Sequence, residues 1–124
     1  MPRRIEPEPY ALKVGERLRA LRQERNLSLA ELADASDLSK GHLSSIEHGL
    51  AAITIQTILR VAKGLGLPPL YVLTFPADDE RDHIMELVRK LPSSEVTKLR
   101  RELTKAAKEA AKAAKPAKAT RGKS

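Results

Sequence analysis

The chain has 124 residues, a formal net charge of +7, no cysteine and only three aromatic side chains. The lack of cysteine excludes disulfides and thiolate metal sites. The three histidines show no ligand spacing with carboxylates, so we expect no metal and no cofactor. No apolar run has the length of a membrane span and no signal-peptide region opens the chain. The composition therefore favours a cytoplasmic protein with an aliphatic core of packed helices and no membrane partner.

The positive charge is concentrated near the C-terminus. Residues 1–75 contain 10 Lys/Arg and 8 Asp/Glu, whereas residues 98–124 contain 10 Lys/Arg and 2 Asp/Glu. A basic segment of this kind favours a polyanionic partner, with nucleic acid first.

The N-terminal region is predicted to be an arm followed by a helix. Residues 1–12 open with three prolines and alternating charges, which is typical of a flexible arm. The helical period begins at Lys13 and predicts a first helix that ends near Arg25.

Three further helix starts share one sequence device, a hydroxyl residue flanked by aliphatic residues that are five positions apart. Such residues cap a helix while their neighbours pack across its first turn. The capping residues are Ser28, Ser39 and Thr54. The predicted second, third and fourth helices span 29–36, 40–47 and 55–65.

The link between the second and third helices is only three residues long, "SDL". Asp37 is the residue expected to adopt a left-handed conformation there, because Asp tolerates that region better than most residues. Two short helices joined by such a turn form a helix-turn-helix arrangement. Gly64 and Gly66 are expected to end the fourth helix, and a short fifth helix is predicted over 69–74, so that the domain spans 13–75.

Residues 76–115 are predicted to form a C-terminal helical segment. Its first helix has acidic residues in its first turn, ends at Pro92 and carries an apolar stripe that we expect to form a dimer contact. The alternative is that this stripe folds back onto the first and fifth helices. The stripe consists of Ile84, Leu87, Val88 and Leu91.

A second C-terminal helix is expected to begin with a serine cap in "SSEVTK" and to carry a basic face. This face could contact DNA without sequence preference, or it could simply be solvated. It consists of Lys98, Arg101, Lys105, Lys108, Lys112 and Lys115. Residues 116–124 are predicted to be a disordered basic tail.

Residues 14–73 resemble the Cro/repressor-type (XRE) helix-turn-helix family of bacteria and phages. The resemblance lies in "VGERLRALRQERNLSLAELADASDLSKGHLSSIEHG" and "TIQTILRVAKGLGLPPLYVL". It implies an all-α, five-helix domain, commonly dimeric, with the third helix in the major groove of double-stranded DNA. It also implies an ion pair between Arg22 and Glu47 that holds the first helix against the end of the third. The DNA-binding residues that we assign on this basis are Ser28, Ser39, Lys40, Gly41, His42, Ser44, Ser45 and His48.

Three positions depart from the family pattern. Asp37 stands where many members have glycine, Leu29 stands where many have a polar phosphate contact, and the loop 50–53, "LAAI", lacks the usual polar residues. Each departure removes an anchor for the phosphate backbone, so the isolated domain should bind DNA weakly. Leu50 is expected to be exposed, where it could contact a protein, or to pack on the fourth helix.

We expect a sequence-specific transcriptional regulator, a repressor rather than an activator, that is homodimeric, nucleoid-associated and not an enzyme. One alternative is a protein-interaction module such as an antitoxin, an anti-repressor or an assembly subunit. Another is a nucleoid-coating protein that binds DNA through its basic tail.

Overall fold

The computed structural model describes residues 5–114, and these residues are helical and connected by short loops. This confirms the predicted all-α fold. The α-helices are α1 (Pro9–Glu24), α2 (Leu29–Ala35), α3 (Lys40–Glu47), α4 (Ile55–Leu65), α5 (Glu80–Val88) and α6 (Ser93–Ala113), and a 3₁₀ helix spans Pro69–Leu73. Lys115 and the predicted tail at 116–124 lie outside the described residues. None of the helices described is long and apolar enough to cross a membrane.

The first helix begins at Pro9, not at Lys13, so the predicted arm over 1–12 is too long. Proline is favourable at the first position of a helix because its missing N–H has no partner to lose there. The Glu8 carboxylate caps the helix by accepting from the backbone N–H of Ala11 (2.7 Å) and Tyr10 (3.1 Å). A proline preceded by an acidic residue was the local signal for this start.

The three predicted caps are confirmed. Ser28 forms a capping box, in which its hydroxyl accepts from the Glu31 N–H while the Glu31 carboxylate accepts from the Ser28 N–H. Ser39 and Thr54 accept from the backbone N–H three residues later. The serine cap expected for α6 is wrong, because Ser93 is already helical and the preceding residue is Pro92.

The turn between α2 and α3 places Asp37 in the left-handed region with φ of 56°, as predicted. Gly66 ends α4 with φ of 70°. Gly64, however, lies inside α4, contrary to the expectation that it ends the helix. A Cβ atom added there would lie 2.5 Å from the Ser36 hydroxyl oxygen, so this glycine allows α2 and α4 to pack closely.

The core is aliphatic and is formed by residues of α1, α2, α3, α4 and the 3₁₀ helix. Its largest fully buried side chains are Leu18, Leu21, Leu32, Leu43, Ile46, Leu65, Val61 and Val72. Gly15 lets α1 approach α3, because a Cβ atom there would lie 2.3 Å from the Ile46 carbonyl oxygen and 2.7 Å from that of Glu47. The backbones of the two helices therefore touch at this point.

The chain divides into two compact units between Glu86 and Leu87, and not after Phe75 as the sequence predicted. Arg17 holds the additional residues to the first unit: its guanidinium donates to the Tyr71 carbonyl (2.9 Å) and to the Glu86 carboxylate (2.8 Å). The Asp82 carboxylate accepts from the Phe75 N–H at 2.8 Å. These bonds hold the first part of α5 to α1 and to the segment after the 3₁₀ helix, within the first unit.

The predicted ion pair between Arg22 and Glu47 is present. The Arg22 Nε donates to Glu47 Oε2 at 2.7 Å and its Nη2 donates to Oε1 at 3.0 Å. The two side chains are 12% and 4% exposed. The hydrogen bond to Glu47 raises the pKa of Arg22. A third bond, from Nη1 to the Leu27 carbonyl at 2.9 Å, ties the same guanidinium to the start of the helix-turn-helix.

Replacing Gly15 with alanine should destabilise the first unit by about 1–3 kcal/mol, the usual cost of inserting atoms into a packed core. The neighbours of a new Cβ are backbone atoms, which cannot turn aside. Gly41→Ala is the matched control: a Cβ there meets no other atom of the described chain within 4 Å, so this variant should gain about 0.5–1 kcal/mol. Urea titration followed by circular dichroism measures both. Equal effects of the two substitutions would contradict the close contact of α1 and α3.

Replacing Glu47 with glutamine should lower the free energy of unfolding by about 3–5 kcal/mol, because it leaves the Arg22 charge buried without its partner. Asp78→Asn is the control, since it removes the carboxylate from an ion pair with Lys13 whose two side chains are each about half exposed. Solvent screens such a pair, so we expect the control to unfold at nearly the wild-type denaturant concentration. A similar small shift for Glu47→Gln would show that the bidentate pair contributes little.

Candidate nucleic-acid interface

The outward face of α3 begins at its N-terminal cap. Ser39, Lys40 and Gly41 are exposed, and His42 and Ser44 are half-buried. Lys40 is the one long cationic side chain within α3. Gly41 leaves open space in front of the helix, so another backbone could come close to it. Five of the predicted DNA-binding residues are therefore accessible on or beside one short helix.

Ser45 does not belong to this face. It is 6% exposed, and it lies in the buried part of α3 together with Leu43, Ile46 and Glu47. Its carbonyl accepts from the Leu50 N–H at 2.9 Å and so closes the turn after the helix. The resemblance led us to expect a base-facing side chain at this position, but a serine is too short to emerge from it.

His48 and Ser28, the remaining predicted contacts, are exposed but already engaged. The His48 Nδ1 lies 2.7 Å from the Ser44 carbonyl, so the ring covers the C-terminal end of α3. The Ser28 N–H donates to the Glu31 carboxylate at 2.7 Å, and this bond lowers the pKa of Glu31. The Ser28 N–H at the start of α2 is thus already bound by a carboxylate of the chain itself.

Arg60 was not among the predicted contacts. It is exposed on α4, and its Nη1 lies 3.4 Å from the Asp37 carbonyl in the turn between α2 and α3. The Arg60 guanidinium therefore lies at this turn. The Asp37 carboxylate had led us to expect that the turn lacks an anchor for the phosphate backbone. No local sequence signal connects the two residues, because their proximity depends on the packing of α2 against α4.

The loop after α3 offers little to a phosphate backbone. Ala51 is buried, and Leu50, Ala52 and Ile53 are half-buried. Leu50 thus lies between the two expected outcomes, exposure and packing on the fourth helix. The expected lack of a polar anchor at this loop follows directly from its side chains.

The predicted basic face lies on α6 and is exposed over its described length. Lys98 lies 3.9 Å from Glu95 one turn earlier, and both side chains remain mostly accessible to solvent. The described members of this face are Lys98, Arg101, Lys105, Lys108 and Lys112. They lie in the second compact unit, away in sequence from α3.

The apolar stripe predicted as a dimer contact is on α5 and the turn after it. Ile84, Leu87 and Leu91 are exposed, and Val88 is half-buried. The hydrogen bonds of α5 to Arg17 and to the Phe75 N–H come from Glu86 and Asp82, which are not members of this stripe.

No group of three or more His, Asp or Glu side chains within residues 5–114 could hold a metal ion. The outward face of α3 and the basic face of α6 offer hydrogen-bond donors and cations, which suit phosphate oxygens and base edges. This chemistry is that of a binding surface.

Comparisons with known proteins identify the first unit. The family model described as helix-turn-helix (HTH_3) matches residues 18–72. An uncharacterised HTH-type transcriptional regulator of Mycobacterium bovis is 39% identical over 81 residues, which are 64% of this chain and 32% of the relative. The HTH-type transcriptional regulator SutR of Escherichia coli is 41% identical over 51 residues, which are 41% of this chain and 29% of SutR. The chain spans less than a third of the length of these two relatives.

A solved structure shows the same arrangement of helices. The restriction-modification controller protein C.AhdI from Aeromonas hydrophila is 30% identical, with a TM-score of 0.52 over 53% of this chain and 100% of that protein. Sequence and fold therefore agree over the segment that contains α2, the turn and α3. Through residues 18–72, the chain belongs to the helix-turn-helix family of the Cro/repressor type.

Proposed function

We propose that the protein is a sequence-specific DNA-binding transcriptional regulator, a homodimeric repressor that acts at the nucleoid in the cytoplasm. The observation that carries this proposal is the accessible face of α3, which is held in place by the Arg22–Glu47 pair. The repressor role is supported by the immunity repressor protein of Bacillus phage phi105, which is 36% identical over 56 residues, 45% of this chain and 39% of that protein.

Direct base recognition by α3 is modest. Lys40 can reach the O6 and N7 acceptors of guanine in the major groove. The Ser44 hydroxyl can donate or accept, so it discriminates poorly between bases. Gly41 carries no base code, but its open surface lets the helix backbone approach the groove. One long donor per copy gives a short recognition sequence.

Affinity for DNA comes in part from α6. Each phosphate that a lysine or arginine neutralises releases counterions and makes binding steeper in salt. The exposed cations of α6 can supply such contacts without sequence preference. They compensate for the loop 50–53, which has no cation, and for the occupied N-terminus of α2.

A second copy doubles the number of bases that can be read. Dimeric helix-turn-helix proteins bind two half-sites about one turn of DNA apart. The exposed side chains of Ile84, Leu87 and Leu91 support an apolar contact between copies.

Selection of bound DNA from a random pool tests the whole proposal, because a dimeric regulator enriches a pseudo-palindrome. Enrichment of no sequence at physiological salt would reject sequence-specific regulation.

A protein-interaction role is the second candidate, and one observation favours it. Ile55 is 79% exposed at the start of α4, and Leu59 is exposed one turn later. Together with the half-buried Leu50, they could contact a partner protein. Under this hypothesis, selected DNA would bind no tighter than random DNA.

Replacing Lys40 with alanine should reduce discrimination between the selected site and its single-base variants by about 1–3 kcal/mol at one position per half-site. The reason is the loss of the one long donor on the face of α3. Competition gel shifts against single-base variants measure the effect. Lys63→Ala is the matched control, since Lys63 is an exposed lysine in the last turn of α4. A uniform loss of affinity without relaxed preference would place Lys40 on a phosphate.

Replacing Lys105, Lys108 and Lys112 together with glutamine should lower affinity for all DNA sequences alike. Glutamine preserves helix propensity, so the change removes charge and little else. The slope of log K against log salt should become shallower by about 0.9 for each phosphate that the variant no longer neutralises. Fluorescence anisotropy over a salt series measures the slope, and the preferred sequence should be retained. Complete loss of binding would favour the nucleoid-coating hypothesis, and an unchanged slope would mean that this face is solvated.

A further inference from the structure

Helix α6 carries an apolar seam with a period of seven residues. Its members alternate in steps of three and four along the helix, which is the spacing of the a and d positions of a coiled coil. The seam consists of Val96, Leu99, Leu103, Ala106, Ala110 and Ala113. A period of seven residues over two turns is about 3.5 residues per turn, which is close to the roughly 3.6 residues per turn of an α-helix. These side chains therefore follow one line along the helix.

The charges of α6 keep the same period. Glu95, Glu102 and Glu109 are seven residues apart and occupy the g positions on one flank of the seam. Arg100 occupies an e position on the other flank. The remaining cations of the helix all occupy c and f positions, which face away from a coiled-coil partner. These outward cations are Lys98, Arg101, Lys105, Lys108 and Lys112.

The seam is open to a partner over most of its length. Val96 and Leu99 are half-buried, whereas Leu103 is 54% exposed, and each residue from Arg100 to Ala114 is exposed. A helix of 21 residues is about 31 Å long. An isolated helix of this composition gains stability from packing an apolar stripe against another surface.

We propose that α6 pairs with α6 of a second copy of this chain as a parallel, two-stranded coiled coil. The proposal rests on the homodimer of the proposed function and adds a contact through α6 to the one proposed for the stripe of α5. Val96 at a and Leu99 at d are the combination that favours two parallel strands. Pro92 separates α5 from α6, so the seam begins at Val96 and does not continue the stripe of α5.

The flanking charges select the parallel orientation. In a parallel pair, g residues of one helix lie beside e residues of the other, so Glu95 faces Arg100 of the second copy. In an antiparallel pair, g residues face g residues, and the three glutamates of each copy would lie against those of the other. That arrangement brings like charges together along the whole seam and is disfavoured.

The same geometry reconciles the two roles predicted for this segment. The cations at c and f positions stay on the outside of the coiled coil, where they remain available to DNA phosphates. Both copies enter the coiled coil at the N-terminal end of α6, so the two preceding helix-turn-helix domains emerge at the same end. The alanines in the second half of the seam bury little apolar area, so we expect a dimer that dissociates on dilution.

Single-cysteine variants of the full chain test this arrangement, because the natural sequence contains no cysteine. Ala106→Cys and Ala113→Cys each place a thiol at a d position, and identical d positions meet in a parallel pair within the reach of a disulfide. Ala111→Cys is the matched control at an outward b position. Mild oxidation should link both d variants into dimers and leave the control mostly monomeric on a non-reducing gel. An antiparallel pair cannot link both d variants, since at most one of them lies near its centre.

Light scattering without DNA completes the test. The wild-type chain should have the mass of a dimer, Glu95→Arg should lower the dimeric fraction, and the exchange of Glu95→Arg with Arg100→Glu should restore it. A monomer at all concentrations, or equal linking of Ala106→Cys and Ala111→Cys, would overturn the coiled coil. DNA selection tests the proposed function separately. If the chain is monomeric but still enriches one DNA sequence, the coiled coil is rejected and the regulator is retained. If the chain forms the coiled-coil dimer but enriches no sequence, the regulator is rejected and the coiled coil is retained.

Discussion

The ion pair between Arg22 and Glu47 joins α1 to the last residue of α3, and the direction in which α3 points depends on it. The same guanidinium binds the Leu27 carbonyl, so one side chain ties together the end of α1, the entry to α2 and the end of α3. Gly15 acts at the same junction, since it lets the α1 backbone touch the carbonyls of Ile46 and Glu47. A bidentate pair restrains both the distance and the angle between its two groups. The accessible face of α3 is therefore presented in one orientation before any DNA is bound.

In the proposed function, base recognition and non-specific attraction to DNA belong to different parts of the chain. The face of α3 has one lysine among short side chains, while the cations of α6 occupy a separate compact unit. Charge near DNA raises affinity and association rate for every sequence, so a strongly basic α3 would gain binding and lose discrimination. Separation of the two roles lets affinity be adjusted without changing which bases are read. In the proposed coiled coil, the acidic residues that flank the seam of α6 add a further constraint, because they restrict which helix can pair with it.

Features that depend on neighbours in sequence were predictable, and features that depend on the crossing of distant helices were not. The caps at Ser28, Ser39 and Thr54 and the left-handed Asp37 follow from local hydrogen bonds and local sterics. The burial of Ser45, the position of Gly64 inside α4 and the approach of Arg60 to the turn each require two helices to be placed first. The Arg22–Glu47 pair was predictable only through the family resemblance, since 25 residues separate its partners. Likewise, hydrophobic periodicity located α5 but gave no indication that its acidic side would dock on Arg17.

If α3 reads DNA as proposed, the open space in front of Gly41 has a consequence for how the protein could acquire a new operator. Side chains at this position and at Lys40 are not part of the core, and the residues that orient α3 lie on its opposite side and on α1. Longer side chains could be introduced there without refitting the interior, and alanine or a larger helix former at Gly41 would also strengthen the helix. A change of target sequence would then require no compensating change in stability. The outer face of α3 is thus an evolvable surface on a rigid scaffold, and a favourable starting point for engineered specificity.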